Sequence, residues 1–377
     1  MKGGEALNGI YIHVPFCKSK CPYCDFYSMR CDDATKEKYV DAVIDEIKTL
    51  RRCKSFVEQS FNADTLYLGG GTPSVLSGEQ IRRIISTARE RFNISDNAEI
   101  TVECNPGSDI ESLIPYFKEC GVNRISLGMQ SAVDEERKVL GRSADRNRIA
   151  QVIELFKANG FTNISLDIML GIPHQTADSL EDTLKFIKSC DIPHISAYML
   201  KIEDGTFFDK HREKYTFPDE DAVCDLYSQC IDYFTSNGFS HYEISNLAKP
   251  GFESRHNTKY WRLDNYLGIG PSAHSFVDGK RFYFDNSLED FINGAPPVFD
   301  TMGGDRDEYI MLRLRLQEGL KLSDLKALYG EDSAESIIKK APLLKEQGLI
   351  NYDNHSISLT EKGFLLSNSV IIELLGE

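Results

Sequence analysis

Six short runs rich in β-branched and apolar residues recur along the first two hundred positions: "IYIHVPF", "TLYLGGG", "AEITVECNP", "NRISLGMQS", "NISLDIMLGIP" and "HISAYML". Nearly every gap between them holds a stretch with helical periodicity, as in "TKEKYVDAVIDEIKTLRR", "SGEQIRRIISTARERF" and "DSLEDTLKFIKSC". A further helix is expected over "DEDAVCDLYSQCIDYFTSNG", closing on Gly238. Strands alternating with helices need crossover connections, so the chain is α/β with a parallel sheet, doubly wound or curled into a barrel. Polar and glycine-rich residues follow the strands, at Cys17 to Cys24, Gly69 to Thr72, Glu103, Gln130 and Asp167. Functional groups at the C-terminal ends of several strands are what a barrel site requires; a doubly wound sheet would gather them at one switch point.

At 377 residues the chain is long for one core, which favours one large α/β domain with a smaller companion. A formal charge of −15 disfavours nucleic acid and anionic membrane surfaces as partners. No apolar run reaches the roughly 18 residues of a transmembrane segment, and "MKGGEALNGI" lacks the apolar core of a signal peptide, so a cytoplasmic location is expected. Of ten cysteines, seven (Cys31, Cys53, Cys104, Cys120, Cys190, Cys224 and Cys230) stand singly and read as small buried or half-buried hydrophobes.

The other three, Cys17, Cys21 and Cys24 in "CKSKCPYC", fall on one loop after the first strand. Three thiolates in a small turn can hold three corners of a cube-shaped iron–sulfur cluster, leaving one iron open. Zinc is the rival, with His13 or a distant residue as fourth ligand, although structural zinc sites usually show paired C-x2-C spacings. Gly69, Gly70 and Gly71, followed by Thr72 and Pro73, end the second strand in a turn where backbone groups can approach a bound ligand closely. The turn matches neither GxGxxG nor GxxxxGK[ST], so no dinucleotide or NTP phosphate site is indicated.

The pairing of "CKSKCPYC" with "GGGTP" on successive strands resembles the radical S-adenosylmethionine (SAM) superfamily, whose fold is a partial (β/α)6 barrel. "YIHVPFC", "CPYCDF", "VECNP", "SLGMQS" and "LDIMLGIPHQT" narrow the resemblance to the branch containing oxygen-independent coproporphyrinogen III oxidase. The resemblance implies that Cys17, Cys21 and Cys24 bind a [4Fe–4S] cluster whose open iron is chelated by SAM, with reductive cleavage to a 5′-deoxyadenosyl radical. It also implies that Gly70, Gly71 and Thr72 hold the methionine part of SAM, Glu103 and Gln130 contact its polar groups, Arg142 faces its carboxylate and Asp167 takes a ribose hydroxyl. Tyr11 and Tyr23 would flank the cluster. Read singly, Arg142 is a surface charge, Asp167 a cap and Glu103 a solvated carboxylate; their common position at strand ends favours the site.

Two departures separate the chain from the decarboxylating oxidase. The oxidase carries a further cysteine two residues after the third, where this chain has Phe26, and a long N-terminal extension, whereas here the first strand begins about ten residues from Met1. The pattern instead resembles the HemW-type heme chaperones. His256, Asn257, Tyr260 and Trp261 in "SRHNTKYWRLDNYLGIGPSAHSF" form the HNxxYW signature that this resemblance associates with heme binding. Neutral imidazole is a good axial ligand and aromatic rings pack on a porphyrin plane, although a lone histidine among aromatics is more often a hydrogen-bonded core residue. Cys21–Pro22 resembles a heme-regulatory pair, but Cys21 is committed to the cluster, and His274 is expected near the SAM site.

The barrel and its HNxxYW extension are expected over residues 1–300, and a small helical, winged-helix-like domain over 301–377. The latter carries 9 Lys/Arg against 13 Asp/Glu, which favours a packed cap or partner-docking surface over DNA binding. The expected function is a heme chaperone that binds the cluster, SAM and heme, takes electrons from a reductant protein and passes heme to an acceptor. The porphyrinogen-decarboxylating oxidase is the runner-up, and a plain zinc-binding module is a third reading.

Overall fold

The computed structural model describes residues 7–57 and 61–376. Six strands run parallel in sequence order: β1 (Asn8–Val14), β2 (Ala63–Gly70), β3 (Glu99–Cys104), β4 (Arg124–Gln130), β5 (Asn163–Leu170) and β6 (His194–Met199). Helices Asp33–Thr49, Gly78–Arg91, Ile110–Cys120, Arg146–Ala158 and Ala177–Ser189 make the crossovers. Each starts on a side-chain cap: Asp32, Ser77, Asp109, Asp145 and Thr176 accept hydrogen bonds from first-turn N–H groups that otherwise have no partner. The parallel sheet expected from the alternation is therefore present, in the partial (β/α)6 barrel form that the resemblance implies.

Period-two alternation divides the strand residues between two environments. Ile10, Ile12, Leu66, Leu68, Ile100, Val102, Ile125, Leu127, Leu166 and Ile168 are fully buried in one hydrophobic core with Val40, Val43, Ile84 and Phe117 of the helices. Burial of each such side chain contributes about 1.5–3 kcal/mol. The intervening positions turn polar groups toward one another inside the barrel: Thr65 and Tyr67, Glu99 and Glu103, Arg124 and Ser126, Ser165 and Asp167, His194 and Ser196.

The sheet extends beyond the six expected strands. β7 (Ser240–Glu243) and β8 (Asn246–Ala248) add antiparallel to the β6 edge. On the other side β9 (Tyr266–Ile269) pairs parallel with β1, followed by antiparallel β10 (His274–Val277), β11 (Lys280–Tyr283) and β12 (Val298–Met302). These strands are only three to five residues long, and the sequence reading took them as an undivided extension.

The sheet ends at Met302, and a second hydrophobic core begins at Tyr309. Helices Arg306–Arg313, Leu322–Tyr329 and Glu335–Glu346 precede a hairpin of β14 (Ile350–Tyr352) and β15 (Ser356–Leu359), with the short β13 (Leu320–Lys321) on its far edge. This is the winged-helix-like arrangement. Among the described residues no helix is long and apolar enough to cross a membrane.

Candidate cofactor site

Beyond β1, the Cys17–Cys24 loop is fixed at its base by Cys17 N–H donating to the Met29 carbonyl (3.0 Å) and at its tip by Cys24 N–H donating to the Cys21 carbonyl (3.1 Å). All three cysteines are free and half-buried, and they line one cavity of about 570 Å³ at the C-terminal ends of the strands. Cys17 Sγ lies 3.3 Å from Thr72 Oγ1 of the glycine turn. The Cys24 thiol is held above its ordinary pKa by burial first and then by its two neighbouring sulfurs. A bound cation would reverse that balance.

The glycines are required by close approach. A side chain on Gly71 would place Cβ 2.8 Å from the carbonyls of Val14 and Phe16, the residues that lead into the cysteine loop. Gly70 has φ +103°, and a Cβ there would strike the His13 ring. His13 itself is 5% exposed and engages both ring nitrogens, Nδ1 with Tyr11 Oη and Nε2 with the Tyr27 carbonyl, each at 3.0 Å. It is a core histidine, not a fourth zinc ligand.

Opposite the cysteines, Glu103 accepts hydrogen bonds from Tyr67 Oη (2.8 Å) and Gly70 N–H (3.1 Å). Burial outweighs those donors and raises its pKa to about 7. Asp167, bonded by Ser126 Oγ at 3.1 Å, is also raised, again chiefly by burial. Arg142 donates to Tyr23 Oη at 2.7 Å, yet its Nε is buried with no partner. Gln130 holds φ +73° where the β4–β5 register shifts, a costly conformation for a side chain that it turns into the cavity lining. An orphaned guanidinium nitrogen, two half-buried carboxyls and a glycine cradle beside three thiols suit a zwitterionic ligand with its own ammonium and carboxylate.

Cys17, Cys21, Cys24, Tyr23, Gly70, Gly71, Thr72, Glu103, Gln130, Arg142 and Asp167 all line this cavity. Tyr11 does not: it packs beneath the site between His13 and Tyr67, at centroid distances of 5.9 and 6.2 Å. His274 does not line it either; it is exposed and stacked on Tyr283 at 5.1 Å. Sequence reasoning missed Ser126, Tyr198, Met199 and Lys201, which line the cavity, and Tyr67, whose hydroxyl orients Glu103. For Tyr67 and Ser126 the inward position given by strand alternation was the available signal.

The HNxxYW segment occupies the other end of the barrel. Helix Arg255–Arg262 begins with the N–H groups of Arg255 and His256 donating to the two oxygens of Glu99, each at 2.9 Å. Glu103 lies four positions along β3 from Glu99, a rise of about 13 Å. The His256 ring is 1% exposed, stacked on Tyr67 at 5.2 Å, with Nδ1 bonded to Thr65 Oγ1 and Nε2 to Tyr260 Oη, both at 2.8 Å. Burial lowers its pKa to about 3, so the imidazole is neutral. Asn257, Tyr260 and Trp261 are half-buried, and the Trp261 indole donates to the buried Glu243 carboxyl. In this conformation both His256 nitrogens are engaged in hydrogen bonds and the ring is buried.

A family model described as the radical SAM superfamily matches residues 11–187, and one described as the HemN C-terminal domain matches 306–366. Heme chaperone HemW of Escherichia coli K12 is 33% identical, with 98% of each chain aligned. The HemW proteins of Bacillus subtilis 168 and Lactococcus lactis are each 32% identical over 98% of this chain and 100% and 97% of theirs. This chain belongs to the HemW family of heme chaperones. Its membership spans the barrel and the C-terminal module alike, so the cysteine loop and the HNxxYW helix both fall inside the shared length. The E. coli coproporphyrinogen III oxidase HemN, described as a radical SAM enzyme, superposes with a TM-score of 0.81 at 23% identity, over 98% of this chain and 90% of that one. At that identity the likeness concerns the fold.

Proposed function

We propose that this chain is a cytoplasmic heme-trafficking protein that binds a [4Fe–4S] cluster, SAM and heme and passes heme to an acceptor protein. The observation that carries the reading is the near end-to-end relationship to curated heme chaperones, together with a single cavity in which three free thiols face a glycine turn and Arg142. Cys17, Cys21 and Cys24 would hold the cluster, which when bound supplies an electron to a sulfonium. Gly70, Gly71 and Thr72 would receive the methionine part of SAM, Glu103 and Gln130 its polar groups, Arg142 its carboxylate and Asp167 a ribose hydroxyl. Tyr23 positions Arg142. Tyr11 acts from beneath, through His13 and Tyr67. Heme is assigned to the HNxxYW segment, with His256 as axial ligand once the helix carrying it leaves the barrel base, and Asn257, Tyr260 and Trp261 as its surroundings.

Anaerobic reconstitution followed by heme titration, alongside a coproporphyrinogen III conversion assay, tests this. Stoichiometric heme binding weakened by His256→Ala, without conversion, is expected. Conversion of the porphyrinogen with heme binding indifferent to His256 would restore the oxidase.

A further inference from the structure

The two ends of the barrel are joined by one side chain. Tyr67 donates its hydroxyl to Glu103 Oε1 at 2.8 Å in the upper cavity and lays its ring on His256 at 5.2 Å, 30° from parallel, in the base. The base is a plug of directional bonds: Glu99 receives the first two N–H groups of the helix, Thr65 and Tyr260 hold the His256 ring, and Lys259 pairs with Asp64 at 2.9 Å. At its far end Arg262 pairs with Glu318 at 3.1 Å, which reaches Arg313 of the C-terminal module at 3.2 Å.

We propose that Tyr67 couples the two ends, so that a ligand whose ammonium engages Glu103 tightens the His256 plug and closes the heme ligand. The proposal rests on the SAM and heme sites given under Proposed function. A cationic ligand fixes Glu103 as the carboxylate, and a carboxylate accepts the Tyr67 hydroxyl more strongly than a neutral acid does. The ring of Tyr67 is thereby held over His256. The charged and titratable groups that act on Glu103 and Tyr67 are Tyr11 from β1, Arg124 from β4, Asp167 from β5, Tyr198 from β6 and Tyr260 from the plug helix. Arg124 is 1% exposed with Nε and Nη1 unpartnered, a fixed positive charge that leaves the hydroxyl–carboxylate pair as the variable element. Heme capture then belongs to the ligand-free state, and linkage makes the antagonism reciprocal.

The test uses cluster-reconstituted full-length protein with S-adenosylhomocysteine as the upper ligand. Hydrogen exchange is followed over residues 254–262, and heme is titrated with and without the ligand. Saturating S-adenosylhomocysteine is expected to slow exchange there and weaken heme binding, each about fivefold, a modest allosteric coupling. Tyr67→Phe keeps the ring and loses the hydroxyl, and both effects should vanish while S-adenosylhomocysteine still binds. Glu103→Gln provides a second arm, because an amide accepts the hydroxyl but cannot become charged; at saturation the ligand should no longer alter exchange. Ligand binding with unchanged exchange and heme affinity in the wild type, or coupling that survives both substitutions, overturns the proposal. Absence of S-adenosylhomocysteine binding rejects the SAM site itself, and heme binding indifferent to His256→Ala rejects the heme assignment.

Discussion

Arg142 reaches from the loop after the short helix Asp134–Val139 to the Tyr23 hydroxyl at 2.7 Å, fastening the cysteine loop to the opposite wall of the cavity while its Nε stays without a partner. A guanidinium so placed has a bidentate ligand in prospect and a rigid anchor behind it. Arg142→Lys keeps the charge and loses the fork. S-adenosylhomocysteine affinity of the reconstituted protein should fall about tenfold, the equivalent of one charge-assisted hydrogen bond. Tyr23→Phe, which frees the anchor only, should cost less. Equal affinities by titration calorimetry would remove Arg142 from the site.

Glu103 sets the pH dependence of ligand binding. Its pKa is raised to about 7 because burial outweighs the bonds from Tyr67 and Gly70. An ammonium ligand needs the carboxylate, so affinity should be full above pH 7 and decline as pH falls through that value, with proton release on binding near neutrality. Glu103→Gln should bind weakly and lose the inflection. For the empty protein the sign is opposite. The folded state holds the Glu103 proton more tightly than the unfolded chain, so this group's contribution to stability diminishes as pH rises from about 4.5 to about 7. Denaturant midpoints measured across that window would show it.

Gly71 has no room for a methyl group. Its Cβ would lie 2.8 Å from two backbone carbonyls that cannot swing away as a side-chain tip could. Gly71→Ala should destabilise the fold by about 1–3 kcal/mol, as overpacking typically does. It should also lower cluster occupancy, because the displaced carbonyls belong to the entry of the cysteine loop. Gly71 is not among the glycines at positive φ, so the cost comes from this collision and not from left-handed backbone strain. A Gly71→Ala protein with unchanged Tm and iron content would contradict this.

The extension is tied to the barrel through an arginine that a buried ion pair holds in place. Arg52 Nε donates to Glu46 at 2.7 Å, its Nη1 donates to the Phe291 carbonyl at 2.9 Å, and both side chains are at most 5% exposed. Removing one partner leaves the other charged and buried, so Arg52→Met should cost about 3–5 kcal/mol. The double substitution Arg52→Met with Glu46→Leu should recover much of that loss in chemical denaturation.

Local pattern made much of this site legible. The C-x3-C-x2-C loop, the triple glycine and the polar residues after successive strands could be read because strand alternation brings strand ends together wherever the sheet is parallel. Tyr67 and Ser126 lay inside the same runs but were passed over, since an inward polar residue gains its meaning from its neighbour on the next strand. Tyr11 sits in a motif of the site but does not line the cavity, packing instead against His13 and Tyr67.

What the sequence determined by itself was the α/β alternation, the cysteine loop and the winged C-terminal module, because each is written in spacing over a few neighbouring residues. What only the tertiary structure decided was the fate of the HNxxYW segment. Its eight-residue helix places His256 against Gly9, Thr65 and Tyr67, partners nearly two hundred residues or more away in the chain. Periodicity tells a residue which face of its helix it occupies. The partner that satisfies a buried imidazole is fixed by which strands meet there, and that depends on the closed fold.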